Sequence, residues 1–247
     1  MRVLIHGSTG RMGKILCERL SAGYPGLELA ARVSPEEISD PANCVYASLQ
    51  EVNCDVDCVI DFSHHTAVGG LMDFCTARNL PVVVATTGQT PEEKQIIADA
   101  AKKIPVFFSA NMSIGVALLA DLAKRAAAVF PEANIEIVEK HHNQKLDVPS
   151  GTALLLAHRI QEALTDTVLL VGRHENGKRT AKEIGIHSLR LGNEVGTHEI
   201  IIATGAETIT LKHEAENRSL FANGALAAAS FLKGTPAGLY RMQDIIS

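Results

Sequence analysis

The chain has 247 residues, of which 46% are hydrophobic and 21% charged, and its formal net charge is -5. This length allows one large α/β domain or two smaller ones. A negative balance gives no reason to expect nucleic-acid binding, which usually shows as a basic stripe, and no segment reaches the length of a membrane span. Because the sequence opens with a strand-like run rather than a basic head and an apolar segment, we expect no secretory signal. We therefore expect a cytoplasmic protein whose partners include neither nucleic acid nor membrane.

The five cysteines are odd in number and scattered, which is typical of reduced thiols rather than of a disulfide framework. Cys54 and Cys58 lie close together, but three residues separate them and the chain offers no second pair. A structural zinc site usually takes its ligands from two such pairs. We therefore expect no metal site.

A glycine-rich turn follows the first predicted strand. Val3–His6 is a short apolar run, Gly7–Gly13 has the sequence G-S-T-G-R-M-G, and a helical pattern then leads to a second strand at Leu27–Val33. This order indicates a dinucleotide-binding loop, in which glycines allow a tight turn, close approach of a pyrophosphate and helix–strand packing. A glycine-rich turn without a ligand is the alternative. The loop residues predicted to hold a cofactor are Gly7, Ser8, Thr9, Gly10, Arg11 and Met12.

Strands and helices continue to alternate through the first half of the chain. The predicted strands are Asp57–Phe62, Pro81–Ala85 and Pro105–Phe108, and the predicted helices are Ala67–Asn79 and Pro91–Lys103. Thr90 and Glu93 form a capping box at the start of the second helix. This alternation predicts βαβ units and a parallel sheet, with ligands bound at the carboxyl ends of the strands.

The end of the second strand usually discriminates between NADH and NADPH. An acid at this position binds the ribose 2′-hydroxyl and repels a 2′-phosphate. Here the strand ends with Arg32 and Ser34, and acids follow only at Glu36 and Glu37. Arg32 and Ser34 favour a phosphate-bearing cofactor, unless Arg32 merely lies on the solvated edge of the sheet. We therefore expect NADPH to bind at least as well as NADH and both to be accepted.

The second half of the chain consists mostly of strands. The predicted helices are Gly115–Phe130, Ala153–Leu164 and Ser219–Leu232, and the predicted strands are Ile135–Glu139, Val168–Val171, Ile184–Leu191, His198–Thr204 and Glu207–His213. The last helix is expected to return to the first domain. The fold class expected is α/β, a Rossmann-type doubly wound parallel sheet with a second, smaller α+β domain on a mixed sheet. The expected domains are 1–112 with 219–247, and 113–218.

The segment Glu139–Ala153, E-K-H-H-N-Q-K-L-D-V-P-S-G-T-A, carries the strongest chemical signal. The imidazoles of His141 and His142 change charge near neutral pH, and Lys145 adds a compact cation. An imidazolium within reach of a reduced substrate acts as a general acid. Adjacent residues of a strand point to opposite faces, so His142 could instead be packed or solvated.

A turn that opens the next helix completes this segment. Backbone N–H groups at the positive end of a helix dipole bind anions, and a hydroxyl beside them adds a further donor. The turn consists of Ser150, Gly151 and Thr152. Proton donors beside an anion site predict an enzyme that acts on a small carboxylate. Asp147 is expected to brace the loop rather than to act as a base.

These motifs together resemble one enzyme family. They are G-x-x-G-R-M-G at Gly7, I-D-F-S at Ile60, T-T-G at Thr86, A-N-x-S-x-G at Ala110, E-x-H-H-x-x-K-x-D-x-P-S-G-T-A at Glu139, R-x-G-x-x-x-G-x-H at Arg190 and F-A-N-G-A at Phe221. Over nearly its whole length the chain resembles the dihydrodipicolinate reductases of bacterial lysine synthesis, also called 4-hydroxy-tetrahydrodipicolinate reductases. The resemblance implies a Rossmann domain, a smaller domain for substrate binding and oligomerisation, and a homotetramer. It also implies that a cyclic hydroxy-dicarboxylate is reduced with NADH or NADPH, with loss of water, to tetrahydrodipicolinate.

The resemblance also implies roles for individual residues. It makes His141 the proton donor and Lys145 a second one, and it assigns the substrate carboxylates to His142 and the turn at Ser150, Gly151 and Thr152. Besides the glycine loop, two segments would hold the cofactor: Ala85, Thr86 and Thr87, and Ser109, Ala110, Asn111 and Met112.

Several positions depart from the family pattern without removing a residue assigned to chemistry. Ala85 stands where glycine is common, Met112 where phenylalanine is usual and His64 where arginine is often found. Asn143 and Gln144 replace basic residues, and the acid that many members carry after the second strand is missing. A related dehydrogenase of another amino-acid precursor is an alternative. So is a non-catalytic NADPH-sensing protein, which would be expected to lose the histidine–lysine motif that this chain keeps.

Overall fold

The computed structural model describes residues 1–247 and divides into two compact units. The first unit comprises Met1–Ser113 and Ser219–Ser247, and the second comprises Ile114–Arg218. None of the helices combines the length and the apolar character that are needed to cross a membrane.

The chain contains twelve strands and seven α-helices. The strands are β1 (Arg2–His6), β2 (Glu28–Val33), β3 (Val45–Tyr46), β4 (Cys58–Asp61), β5 (Val82–Val84), β6 (Pro105–Phe108), β7 (Asn134–His141), β8 (Val168–Val171), β9 (Glu183–Arg190), β10 (Gly196–Ala203), β11 (Thr208–Ala215) and β12 (Gly238–Tyr240). The helices are α1 (Arg11–Ser21), α2 (Val68–Ala77), α3 (Pro91–Ala100), α4 (Ile114–Val129), α5 (Gly151–Gln161), α6 (Ser219–Phe231) and α7 (Gln243–Ile246).

The first unit is built on a seven-stranded sheet in the order β12-β6-β5-β4-β1-β2-β3. All of its strand pairs are parallel, as the alternation of strands and helices predicted. From β1 the chain proceeds outward through β2 and β3, and then returns to the other side of β1 with β4. Ligands of such sheets bind where the strand order reverses, which is here the crevice beyond the ends of β1 and β4.

The core of this sheet explains its apolar sequence. All four residues of β4 and all three of β5 are buried, because helices cover both faces of a doubly wound sheet. The capping box predicted for α3 is confirmed, since Thr90 accepts a hydrogen bond from the backbone N–H of Glu93 and the Glu93 side chain accepts one from that of Thr90. The strands β3 and β12 were not predicted, because runs of two or three residues at the sheet edges carry no period.

The second unit contains a five-stranded sheet in the order β11-β10-β7-β9-β8. It is a mixed sheet, because β9 runs parallel to β7 and β8 whereas β10 runs antiparallel to β7 and β11. Along β7, every second residue from Ile135 onward is buried. Ile135 and Ile137 pack in a core with residues of α4 and α5, and the next two positions of this face are Glu139 and His141. The apolar face of β7 therefore carries two titratable side chains into the interior.

Strand β7 ends two residues later than predicted. The predicted strand stopped at Glu139, where the apolar alternation ends, but the pairing of β7 with β9 continues as far as His141 opposite Arg190. Helix α5 likewise begins at Gly151 rather than at Ala153, because the Ser150 side chain accepts a hydrogen bond from the backbone N–H of Ala153 at 3.1 Å and caps the helix.

The fold makes a prediction about two helical glycines of the first unit. A Cβ at Gly224 of α6 would lie 1.6 Å from the carbonyl oxygen of Met112, whereas a Cβ at Gly70 of α2 would meet no atom within 4 Å. We expect Gly224→Ala to lower the free energy of unfolding by about 1–3 kcal/mol through overpacking, and Gly70→Ala to raise it by about 0.5–1 kcal/mol. Urea denaturation measures the free energy of unfolding of both variants. Equal changes in the two variants would contradict the close contact at Gly224.

Candidate functional site

The predicted site residues fall into two sets, one in each unit. In the first unit, the glycine loop follows β1 directly. Gly7 has φ +83°, and a Cβ there would lie 2.6 Å from the carbonyl oxygen of Phe62. A Cβ at Gly13 would lie 2.1 Å from the carbonyl oxygen of Gly7. Both glycines are therefore required for the loop to pack, and Gly10, the residue before α1, has no side chain to cap the helix or block an anion.

The residues after β2 form one wall of a cavity of about 350 Å³. Its lining includes Gly7, Thr9, Ser34 and Glu36. Glu36 accepts hydrogen bonds from the hydroxyls of Thr9, at 2.8 Å, and of Ser34. These hydrogen bonds, that from Ser34 foremost, lower the pKa of the Glu36 carboxyl, so it carries a negative charge at neutral pH.

This geometry favours a different argument about the cofactor from the one based on Arg32. Arg32 does not line the cavity, whereas the carboxylate of Glu36 does. Ser8 adds a second contact of this kind, because its hydroxyl donates to Glu37 at 3.0 Å. Glu36 and Glu37 were noted in the sequence but given less weight than Arg32 and Ser34, whereas the turn after β2 brings Glu36 back to the glycine loop.

A buried carboxylate connects the ends of three strands in the first unit. Asp61, at the end of β4, is 2% exposed. One of its oxygens accepts from His6 Nδ1 at 2.8 Å and from the Ser63 hydroxyl at 2.6 Å, and the other accepts from the Thr86 hydroxyl at 2.6 Å. His6 precedes the glycine loop and Thr86 belongs to the predicted cofactor segment 85–87. Asp61 therefore fixes the relative positions of these segments, although no sequence motif had assigned it a role.

The other predicted cofactor segments lie at the ends of β5 and β6. Ala85, Thr86 and Thr87 line a cavity of about 280 Å³ together with His64 and His65. The Ser109 hydroxyl donates to the carbonyl oxygen of Asn111 at 2.7 Å, and the Asn111 side chain accepts from the Ser113 backbone at 2.8 Å. Met112 is buried and Ala110 is exposed. All of the predicted cofactor segments therefore belong to one unit and follow the carboxyl ends of its strands.

In the second unit the central group is the carboxylate of Glu139, which is fully buried. It accepts hydrogen bonds from His141 Nδ1, from both terminal nitrogens of Arg190 at 2.8 and 3.0 Å, and from the backbone N–H of Ser150 at 3.3 Å. Burial raises the pKa of the Glu139 carboxyl, but the hydrogen bonds from His141 and Arg190 outweigh it and bring the pKa to about 2. Glu139 is therefore ionised and only accepts hydrogen bonds.

The bond to Glu139 determines what the His141 ring can do. Because Nδ1–H donates its hydrogen bond to the carboxylate, Nε2 is the ring nitrogen left to exchange a proton with a ligand. A Cβ at Gly196 would lie 3.0 Å from this Nε2, so glycine leaves space beside it. This arrangement suits a general acid whose ring is held in one orientation through Nδ1 while Nε2 faces the ligand.

A second buried imidazole lies next to His141. The rings of His141 and His198 meet edge to face with centroids 5.2 Å apart, and His198 Nε2 is 3.1 Å from the Ser150 hydroxyl. Burial, followed by the charge of His141, lowers the pKa of His198 to about 3. His198 is therefore neutral at neutral pH, and it connects the ring of His141 to the turn that begins α5.

Lys145 and the turn form the outer part of this set. Lys145 Nζ pairs with Asp147 at 2.8 Å, and Arg190 donates to the carbonyl oxygen of Asp147 at 2.8 Å. Gly151 is exposed at the start of α5, and a Cβ there would meet no atom within 4 Å. Thr152, like the half-buried His142 just after β7, lies in the same unit. The side chain of Asp147 thus holds Lys145 in the loop, which is the bracing role predicted for it.

Sequence reasoning missed Glu139, Arg190 and His198 as functional residues. Each of them stands in a motif that carried the family resemblance, but none had been given a role. The spacing offered a signal, since residues two apart in a strand share a face and Glu139 therefore lies beside His141. The contact with Arg190 depends on the pairing of β7 with β9, which no local pattern reveals. No group of three or more His, Cys, Asp or Glu side chains is arranged to bind a metal ion.

Comparisons with known proteins agree with this architecture. Residues 1–112 match the model of the family described as dihydrodipicolinate reductase, N-terminus, and residues 115–246 match its C-terminal counterpart. A solved structure of dihydrodipicolinate reductase from Paenisporosarcina sp. TG-14, with dipicolinate bound, is 28% identical with a TM-score of 0.82, and the match covers 98% of this chain and 97% of that one.

Curated relatives show the same similarity along the entire sequence. The 4-hydroxy-tetrahydrodipicolinate reductase of Caldanaerobacter subterraneus is 45% identical, and the match covers 100% of this chain and 98% of the relative. The enzyme of the same name from Clostridium tetani is 40% identical over 100% of this chain and 97% of its own length. The chain therefore belongs to the dihydrodipicolinate reductase family.

Proposed function

We propose that this protein reduces 4-hydroxy-tetrahydrodipicolinate to tetrahydrodipicolinate with a nicotinamide cofactor and with loss of the hydroxyl group as water, in the biosynthesis of diaminopimelate and lysine. The names of its full-length relatives support the reaction. The observation that carries the proposal is the fixed His141 ring, held by a buried carboxylate beside the Ser150 turn. A non-catalytic NADPH sensor would not need a proton donor built in this way.

The first unit has the features that a dinucleotide requires. Its glycine loop is packed so closely against Phe62 that only glycine fits at Gly7, and the loop borders a cavity with hydroxyls and a carboxylate on its far wall. When bound, the nicotinamide cofactor supplies the hydride. The protein residues that would hold it are those of the glycine loop and of the segments 85–87 and 109–112.

The second unit supplies the proton and binds the substrate. His141 gives its Nε2 proton to the ring position that becomes electron-rich on reduction, while Glu139 stabilises the imidazolium through Nδ1. The substrate carboxylates bind the backbone of the Ser150–Thr152 turn and the ammonium of Lys145, with His142 beside them. Lys145 then exchanges its contact with Asp147 for one with the substrate and serves as a second donor.

We further propose that NADH binds more tightly than NADPH, with both accepted. The Glu36 carboxylate is positioned to accept hydrogen bonds from ribose hydroxyls, whereas a 2′-phosphate would meet its negative charge. This proposal replaces the expectation based on Arg32, because Arg32 lies outside the cavity.

The proposal includes a cytoplasmic homotetramer assembled through the second unit. Support comes from β8 and β11, which are edge strands with unpaired backbone groups, and from Val168 and Val171 of β8, which are 64% and 43% exposed. Exposed apolar edge strands are suited to pairing with another chain.

The role of His141 makes the first functional prediction. His141→Gln should lower kcat by about 100-fold or more, the usual scale for a general acid, while the Kd for the reduced cofactor hardly changes. His158→Gln, on the exposed face of α5, is the matched control and should keep wild-type turnover. Oxidation of the reduced nicotinamide with freshly generated substrate measures kcat for both variants. A wild-type kcat in the His141 variant would remove this residue from the mechanism.

Glu36 makes the second functional prediction, on cofactor choice. Glu36→Gln should shift the ratio of the two dissociation constants toward NADPH by about tenfold, or about 1.4 kcal/mol, because it removes a charge next to the 2′ position. Arg32→Ala should leave the ratio unchanged, and Glu28→Gln, at the opposite end of β2, is the control for overall charge. A ratio that responds to Arg32→Ala and ignores Glu36→Gln would reverse the assignment.

A further inference from the structure

We propose that His6 binds the cofactor through Nε2, at a phosphate oxygen of the pyrophosphate, in an orientation fixed by Asp61. This inference rests on the proposed function, since it assumes that a dinucleotide occupies the first unit. His6 is the last residue of β1 and immediately precedes the glycine loop. Neither the sequence motifs nor the reaction chemistry gave it a role.

The ring of His6 is buried and borders a cavity. His6 is 7% exposed, yet it lines the cavity that Gly7 and Gly10 also border. A buried polar side chain in a strand end normally has its hydrogen-bonding groups satisfied by the protein. Nδ1 is satisfied by Asp61 at 2.8 Å, whereas Nε2 makes no hydrogen bond within the chain. Nε2 is therefore the polar edge that the ring presents to a ligand.

The hydrogen bond between His6 and Asp61 has one direction. The oxygen that His6 contacts also accepts from the backbone N–H and the hydroxyl of Ser63, and the other oxygen accepts from Thr86. A carboxyl group that receives this many donors is an ionised acceptor, so Nδ1 of His6 donates. Asp61 thus holds the ring plane fixed and compensates a positive charge on it.

The partner of Nε2 must accept a hydrogen bond. A ring that already donates through Nδ1 can donate through Nε2 only as an imidazolium, and a phosphate oxygen is the acceptor that suits this second donor. The other charged or titratable groups at this cavity are Glu36 after β2 and His64 after β4, with Asp61 behind the ring. A phosphate oxygen at Nε2 and Asp61 at Nδ1 would therefore hold the ring between two acceptors.

Two substitutions separate binding from structure. His6→Asn keeps an amide N–H near the position of Nδ1, and so keeps the bond to Asp61, but removes the edge that faces the cavity. His6→Gln instead places an amide near the position of Nε2. We expect the Kd for NADH and for ADP-ribose to rise about tenfold or more in His6→Asn and less in His6→Gln. A structural role predicts the reverse order, with His6→Asn binding like wild type.

Calorimetry gives a readout that does not depend on turnover. Titrations with NADH and ADP-ribose should give a Kd close to that of wild type in His64→Gln and a Kd raised about tenfold or more in His6→Asn. Wild-type protein that binds neither NADH nor NADPH would refute the proposed function itself. Tight NADH binding that His6→Asn leaves unchanged would overturn only the role of His6. If His6→Asn fails to fold, His6→Gln decides the question: a Kd within about threefold of wild type supports the contact through Nε2, and a rise of about tenfold or more contradicts it.

Discussion

The contact between the buried Glu139 carboxylate and its donors is the interaction on which the site of the second unit depends. A carboxylate without exposure to water must have its charge compensated, and here an imidazole, a guanidinium and a backbone N–H provide this. Removing one partner of such a buried cluster typically costs about 3–5 kcal/mol, because the remaining charge is left uncompensated. Glu139 therefore fixes three groups at once: the ring of His141, the guanidinium of Arg190 and the turn that starts at Ser150.

A buried carboxylate with several hydrogen-bond donors also occurs in the first unit. Asp61 is a buried carboxylate at the end of a central strand, and it collects donors from β1, from its own loop and from the segment after β5. Neighbouring parallel strands end at the same edge of the sheet, so one acceptor reaches several loops. In each unit a buried acid thus fixes one histidine and a backbone N–H group, together with two hydroxyls at Asp61 and a guanidinium at Glu139.

Much of the fold could be predicted because it depends on periodic apolar patterns. The strands of the parallel sheet, the capping box at Thr90 and the mixed second sheet all follow from local sequence. The ends of elements were less predictable where a polar residue continues a buried face, as His141 does in β7. Very short edge strands such as β3 left no pattern to detect.

The candidate site was predictable only in part, for a related reason. His141 and the glycine loop stand in dense local motifs. Glu36 reaches Thr9 across 27 positions and Arg190 reaches Glu139 across 51, so both contacts depend on how the strands are arranged. Such contacts between distant segments decide the charge around the cofactor and the orientation of the proton donor, and local spacing does not encode them.

The central claim is that the Glu139 carboxylate orients His141 for proton transfer. Its most direct test is the steady-state kcat of Glu139→Gln, with Glu136→Gln on the opposite face of β7 as the matched control. The account predicts that Glu139→Gln lowers kcat by about 100-fold while the Kd for NADH stays within about twofold of wild type, and that Glu136→Gln retains its turnover. A folded Glu139→Gln protein with wild-type kcat would contradict the account.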